Sequence, residues 1–202
     1  MQGGEGMEIY DVSRELLTAE PYPGDPRPSL ERIRSMEAGE EYMLSAFYAC
    51  CHSGTHADAP LHYIRDGKNA AEIPLSRCFG ACTLLTAGGI LTGQHMDQIL
   101  PYCEKRILFR GDGGAFLTPS AAFALSDAGI LLVGTDAPSI ASPDAEGETH
   151  RELLEREIVI LEGLCFDNVP DGTYLLAAFP IKIHGAEGAP VRAVLIRDDN
   201  NE

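Results

Sequence analysis

Tryptophan is absent from this 202-residue chain, and lysine plus arginine supply only 15 residues against 31 of aspartate plus glutamate. A formal net charge of −16 argues against a nucleic-acid partner, because such a protein needs a basic face to displace counterions. It speaks equally against adhesion to an anionic membrane surface. No apolar run approaches the roughly 20 residues that cross a bilayer. The opening Met1-Gln-Gly-Gly-Glu-Gly-Met7 has neither the basic nor the apolar part of an export signal, so a cytoplasmic location is expected. The six cysteines, at positions 50, 51, 78, 82, 103 and 165, form no C-x-x-C pair. That excludes a thiol-redox protein, and reduced, mostly buried thiols are expected.

What is there is an ordinary globular balance, 45% apolar and 23% charged. The length suits one domain with a core of its own, placed over residues 7–202 behind a disordered, Gly- and Gln-rich segment over residues 1–6. Met7 to Val12 reads as a strand, and Pro21 to Pro26 as a loop fixed by its prolines. The nearly continuous apolar run Tyr42 to Cys51 predicts a buried strand. Further strands are expected over 79–87, 106–110, 130–135, 158–161, 173–179 and 191–197. Thr118-Pro119 opens a helix that stops at Gly129. Thr149-His-Arg-Glu152 has the form of a capping box and predicts a short helix starting there. Strands outnumber helices, which makes this a mixed α/β chain and not a simple βαβ repeat.

The densest chemical signal is His52-Ser-Gly-Thr-His56-Ala-Asp58-Ala-Pro-Leu-His62, where three of the chain's six histidines share eleven residues with an aspartate. His and Asp at such short spacing build metal sites. The zinc helix H-E-x-x-H is ruled out, since position 53 is Ser, Gly54 weakens a helix and Pro60 would break it. A turn at Gly54 would instead gather both imidazoles with Asp58. Glu162 ends an apolar strand, where a buried charge needs a partner; taken alone it reads better as an edge residue facing solvent. His150, from the helix just before, could converge with it. Asp136 reads as a turn former after another apolar strand, and His95 as a surface residue. His184, near Lys182, is a candidate pocket residue. Cys51 could approach a metal beside His52, but alternation forbids Cys50 and Cys51 from both doing so.

These residues resemble the H-x-G-T-H-x-D-x-P-x-H signature of the metal-dependent cyclase-like family, whose best-known members are bacterial kynurenine formamidases, with isatin hydrolase a relative. Tyr10-Asp-Val-Ser with Pro23-Gly-Asp25, Gly134-Thr-Asp-Ala-Pro-Ser139, Pro180-Ile-Lys182 and Ala189-Pro-Val-Arg-Ala193 resemble further segments of it. The resemblance implies a single-domain swivelling β/β/α fold holding one or two divalent ions, zinc or manganese. It implies His52, His56, Asp58, His150 and Glu162 as ligands and His62 as the proton-transfer residue. It also implies assembly as a homodimer or higher homo-oligomer, with a small molecule as the other partner. The activity implied is arylformamidase-like hydrolysis of an amide bond. The alternatives are a cyclic amide or lactone as substrate, or a binding protein that has kept the site without turnover. A proton carrier favours the enzyme. Tyr22 stands where kynurenine formamidases carry a tryptophan, and the segment from Arg110 to Thr118 is short and Gly-rich. Both departures thin the wall of an aryl pocket, so small aliphatic or cyclic amides are expected to be hydrolysed better than aryl formamides.

Overall fold

The computed structural model of the chain describes residues 6–198. The segment expected to be disordered, Gly6 apart, lies outside the described residues, as do the last four positions of the domain. The strands follow the apolar runs: β1 (Met7–Asp11), β2 (Ser29–Arg34), β3 (Leu44–Tyr48), β4 (His56–Asp58), β5 (Phe79–Thr86), β6 (Gly89–Leu91), β7 (Arg106–Arg110), β8 (Ala115–Leu117), β9 (Leu132–Thr135), β10 (Val159–Glu162), β11 (Gly172–Ala177), β12 (Gly188–Pro190) and β13 (Val194–Asp198). The helices are α1 (Gly93–Ile99), α2 (Pro119–Asp127) and α3 (Glu146–Glu155). The Thr118 hydroxyl accepts from Ala121 N at 3.3 Å to cap α2, and Gly129 ends it with φ +67°.

Nine strands form one sheet in the order β1-β13-β11-β5-β7-β9-β10-β4-β12. Its centre, β5-β7-β9-β10, is parallel, and the flanking pairs are antiparallel. Of these, β7, β9 and β10 bury both faces and so read as apolar runs, whereas β5 is only partly buried. In β7, Ile107 and Phe109 enter one core with Met96, Leu125 and Leu153 of the three helices. Leu108 enters the other, with Leu84, Leu132, Leu161 and Leu195. Among the described residues no helix is long and apolar enough to cross a membrane.

Two expectations are corrected here. The run Tyr42 to Cys51 is not a buried strand. Only Leu44–Tyr48 is extended, all five residues are exposed, and the strand pairs with β2 in a separate two-stranded sheet. An apolar run records that a surface suits burial, but not what buries it. Nor does the third helix begin at Thr149. A 3-10 turn over Pro143–Ala145 leads into α3 at Glu146, and Thr149 lies within the helix, donating its hydroxyl to Leu117 O at 3.5 Å. The proline-led entry pre-empts the apparent capping box.

Candidate metal centre

His56 and Asp58 lie two apart on β4, so the strand's period of two sends both side chains to one face. β4 pairs antiparallel with β10, with His56 opposite Glu162 and Asp58 opposite Ile160. Opposed residues share a face, so Glu162 joins the pair while Ala57 and Leu161 point into the core. His52 arrives through the expected turn. Gly54 adopts φ +63°, which a side chain resists, and the His52 and His56 rings come within 4.9 Å. Gly188 on β12 makes room for His52, since a Cβ there would lie 2.8 Å from its ring. His150 descends from α3 to place Nε2 3.2 Å from Glu162 Oε1 and 3.6 Å from Asp58 Oδ2. His150 and Glu162 therefore do converge, as their places at the helix and the following strand led one to expect.

Backbone groups aim these side chains. His56 Nδ1 lies 3.1 Å from Gly54 O and His150 Nδ1 2.7 Å from Glu146 O. A carbonyl can only accept, so each Nδ1 carries its hydrogen and each Nε2 turns to the carboxylates. The Ile140 amide donates to Glu162 Oε1 at 2.7 Å. Behind the site, the Thr55 hydroxyl donates to Gly163 O at 2.6 Å and accepts from Arg14 N at 2.9 Å. Arg14 also donates from Nε to Gly163 O at 3.2 Å and from Nη2 to Asp136 O at 2.8 Å. This knot ties the residue before His56 to the residue after Glu162.

The donor set fits a cation. Asp58 is fully buried, yet neither of its oxygens has a hydrogen-bond partner, and His52 Nε2 and His56 Nε2 are buried in the same condition. Asp58 Oδ1 lies 2.9 Å from His52 Nδ1 and 3.5 Å from His56 Nε2, and Glu162 Oε2 lies 3.4 Å from His56 Nε2. Neutral imidazole nitrogens facing carboxylates set lone pair against lone pair, which a cation or a ring proton must relieve. Burial opposes charge on His52 and His150, but Asp58 and Glu162 respectively overcome it and push each up to about 9. Burial also opposes charge on Asp58, and the neighbouring histidines hold it below the usual carboxylate range. Two groups bring ligand atoms within 4.8 Å of one another, His52-His56-Asp58 and Asp58-His62-His150, so Asp58 is common to both.

His62 sits on the turn that follows β4, its ring centroid 4.3 Å from that of His52 and 5.8 Å from that of His150. Its pKa is lowered, by burial first, with His52 and His150 adding to the effect against Asp58. Tyr22 reaches the wall of the same cavity, of about 300 Å³, and donates its hydroxyl to Glu146 Oε2 at 3.2 Å. His184 does not reach it. That residue is exposed and outside the cavity lining, because its segment turns away at Gly185, φ +79°. Cys50 lines the cavity, while Cys51 packs against the core, the reverse of the sequence reading. Asp136 has a structural part other than the local turn expected of it: both oxygens accept from Gly111 N, 25 residues earlier, at 3.1 Å. His95 is exposed and folds back on Thr92 N. The sequence reading missed Tyr63, Glu146 and Glu187 as lining residues. Tyr63, stacked on His150 at 4.7 Å, was signalled only by following His62. The two glutamates carried no local signal.

A family model described as putative cyclase matches residues 10–108. The kynurenine formamidase of Erythrobacter litoralis is 36% identical over 201 residues, covering 93% of each chain. That of Salinibacter ruber is 35% identical, covering 94% of this chain and 97% of its own. A solved structure described as a potential metal-dependent hydrolase with cyclase activity superposes with a TM-score of 0.80 at 30% identity, over 95% of this chain and 98% of that one. An isatin hydrolase bound to the product analogue thioisatinate shares the fold, with a TM-score of 0.82 at 19% identity over 97% and 94% of the two chains. Likeness of this extent, running the length of the chain and through the buried His-Asp cluster, is common descent: the chain belongs to the cyclase family that includes the kynurenine formamidases.

Proposed function

We propose that the chain hydrolyses the amide bond of an N-formyl aryl amine, with His62 carrying the proton. As a member of its family it is an enzyme, a metal-dependent hydrolase. The observation that carries the reading is the place of His62, a partly buried imidazole with its ring centroid 4.3 Å from that of His52 and 5.8 Å from that of His150. His52, His56 and Asp58 would hold one divalent ion and Asp58, His150 and Glu162 a second. Zinc suits the imidazoles, and manganese is compatible with the two carboxylates. A divalent ion held there acidifies a bound water to a pKa near 7 and polarises a carbonyl oxygen.

Amide hydrolysis breaks a C–N bond, and the departing amine must gain a proton. His62 accepts one from the attacking water and returns it to that nitrogen. A lowered pKa keeps it ready to accept at neutral pH. Tyr22 and Tyr63 both line the cavity, which gives an aryl group two aromatic neighbours where the sequence had offered one. That is why the aryl formamide is placed first and the cyclic amide second. Tyr22 would contact the substrate directly. The chain is further placed in the cytoplasm as a homodimer or higher homo-oligomer, with no nucleic-acid or membrane partner. Its acidity supports the last two points.

The test is elemental analysis of gently purified protein, followed by kcat/KM on N-formylkynurenine, small formamides and lactams side by side. Divalent metal with N-formylkynurenine preferred is the expected result. Lactams favoured by more than tenfold would replace this substrate with the cyclic amide.

A further inference from the structure

The three histidines of the ligand set are aimed in two different ways. His56 Nδ1 and His150 Nδ1 face the main-chain carbonyls of Gly54 and Glu146 at 3.1 and 2.7 Å, which leaves Nε2 of each for the cluster. His52 is turned end for end. Its Nδ1 is the nitrogen beside the shared carboxylate, 2.9 Å from Asp58 Oδ1. Its Nε2 lies 3.4 Å from Glu187 Oε1. That Nε2 is buried, and no main-chain carbonyl bonds it.

The sheet brings Glu187 to this place. β12 pairs antiparallel with β4, with Gly188 opposite Asp58, and Ala59 N donates to Glu187 O at 2.9 Å. The backbone of Glu187 is thereby fixed beside the strand that carries two of the ligands. Gly188 does the rest by lacking a side chain. A Cβ there would stand 2.8 Å from His52 Cε1 and 3.2 Å from Nε2, so the Nε2 edge of the ring lies against β12, next to Glu187.

A neutral imidazole carries one hydrogen, and only the other nitrogen has a lone pair to give a metal. A carbonyl makes that choice for His56 and His150. At His52 the acceptor in reach is a carboxylate, which when ionised can only accept. We propose that Glu187 is the positioning residue of His52: its carboxylate takes the Nε2 hydrogen, so that His52 serves as a ligand through Nδ1 while His56 and His150 serve through Nε2. The proposal rests on the functional reading only in taking the cluster to hold a divalent ion. A carboxylate behind a ligand histidine orients the ring and raises its basicity. The Glu187 side chain is 42% exposed and lines the cavity. The aim of His52, unlike that of the other two, is therefore carried by a side chain that solvent reaches and a substitution removes.

The test is magnetic resonance of the full chain, with isotopically labelled histidine and loaded with Cd²⁺, whose spin-active isotope couples to the nitrogen it binds. This needs neither a variant nor activity. His52 is expected to couple through Nδ1, and His56 and His150 through Nε2. Coupling of His52 through Nε2, or through neither nitrogen, overturns the proposal. Zn²⁺ titrations followed at the His52 resonances extend the test to variants. Glu187→Ala is expected to weaken binding there by about 10–100-fold, and Glu187→Gln, which keeps an oxygen acceptor, to restore it to within about threefold of wild type. Wild-type binding by Glu187→Ala overturns the proposal. So does a Glu187→Gln variant as weak as Glu187→Ala, since charge alone would then be at work. Hydrolysis of N-formylkynurenine with His52 bound through Nε2 would overturn this proposal and leave the functional reading standing. Metal bound through Nδ1 without hydrolysis of any amide would count against the functional reading alone.

Discussion

The β4-β10 pair and the β2-β3 ribbon invert ordinary folding in opposite directions. The first buries charge, with Asp58 fully enclosed and Glu162 nearly so. The second exposes hydrocarbon along both strands. Neither arrangement lowers the free energy of an isolated chain, since buried carboxylates lose hydration and exposed apolar surface loses about 25 cal/mol per Å² relative to burial. The first is matched by a donor set that could hold a cation; the second leaves its apolar side chains open on this chain. What separates them is scaffolding. The buried cluster is held by paired strands, a helix and the Arg14–Thr55 knot, whereas the ribbon is held by its own hairpin pairing.

The largest expected effect breaks the buried side of this contrast. Asp58→Asn with Glu162→Gln removes both negative charges, so metal content measured by elemental analysis should fall to background, and hydrolysis with it. Unchanged metal content would sink the ligand assignment. His62→Ala sharpens the same side. It should retain metal and lose about 10²–10⁴-fold in kcat, the usual worth of general acid–base catalysis. Metal lost in proportion to activity would make His62 a ligand, which its place in the second ligand group permits geometrically.

Thr55→Val probes the scaffold alone. It strands Arg14 N at a part-buried position, while Gly163 O keeps the bond from Arg14 Nε, at a cost of about 1–3 kcal/mol. Outer-shell losses of this kind weaken metal binding by about 10–100-fold. Metal titration and thermal unfolding should both register the change; a shift in neither would mean the knot does not aim the ligands. Tyr22→Ala should lower kcat/KM for N-formylkynurenine by about 10–200-fold while changing a small aliphatic formamide little. Equal losses on both substrates would make Tyr22 a support for Glu146 and not a wall for the aryl group. The smallest effect is on the ribbon. Phe47→Ser should leave metal content unchanged and the stability of the monomeric form within about 0.5 kcal/mol. A cost of several kcal/mol in the monomer would show the ribbon to be part of the core after all.

Legibility along the chain followed the range of the interaction responsible. The Thr118-Pro119 start and Gly129 stop of α2 act within a turn and could be read directly. So could the Gly54 bend, because a positive φ is a property of one residue. The false helix start at Thr149 came from a local pattern overruled by the turn at Pro143. Cys51 was favoured over Cys50 because it adjoins His52, but the strand ends at Tyr48 and the chain that follows brings Cys50 to the cavity instead.

The sequence by itself determined that His52, His56 and Asp58 gather around a bend at Gly54; that His56 and Asp58 lie on a strand, and so on one face, was decided by the pairing of β4 with β10. It also determined an acidic, mixed α/β chain with its ligand types in hand. Only the tertiary structure decided that Glu162 stands opposite His56, that His150 reaches both carboxylates, that Glu146 and Glu187 close on the cavity and that His184 does not. Those placements depend on strand register and helix packing between residues up to 135 positions apart, which no local preference encodes. The fate of the Tyr42–Cys51 run was decided the same way. Hydrophobicity is a property of the residues, but burial is a property of what is packed against them.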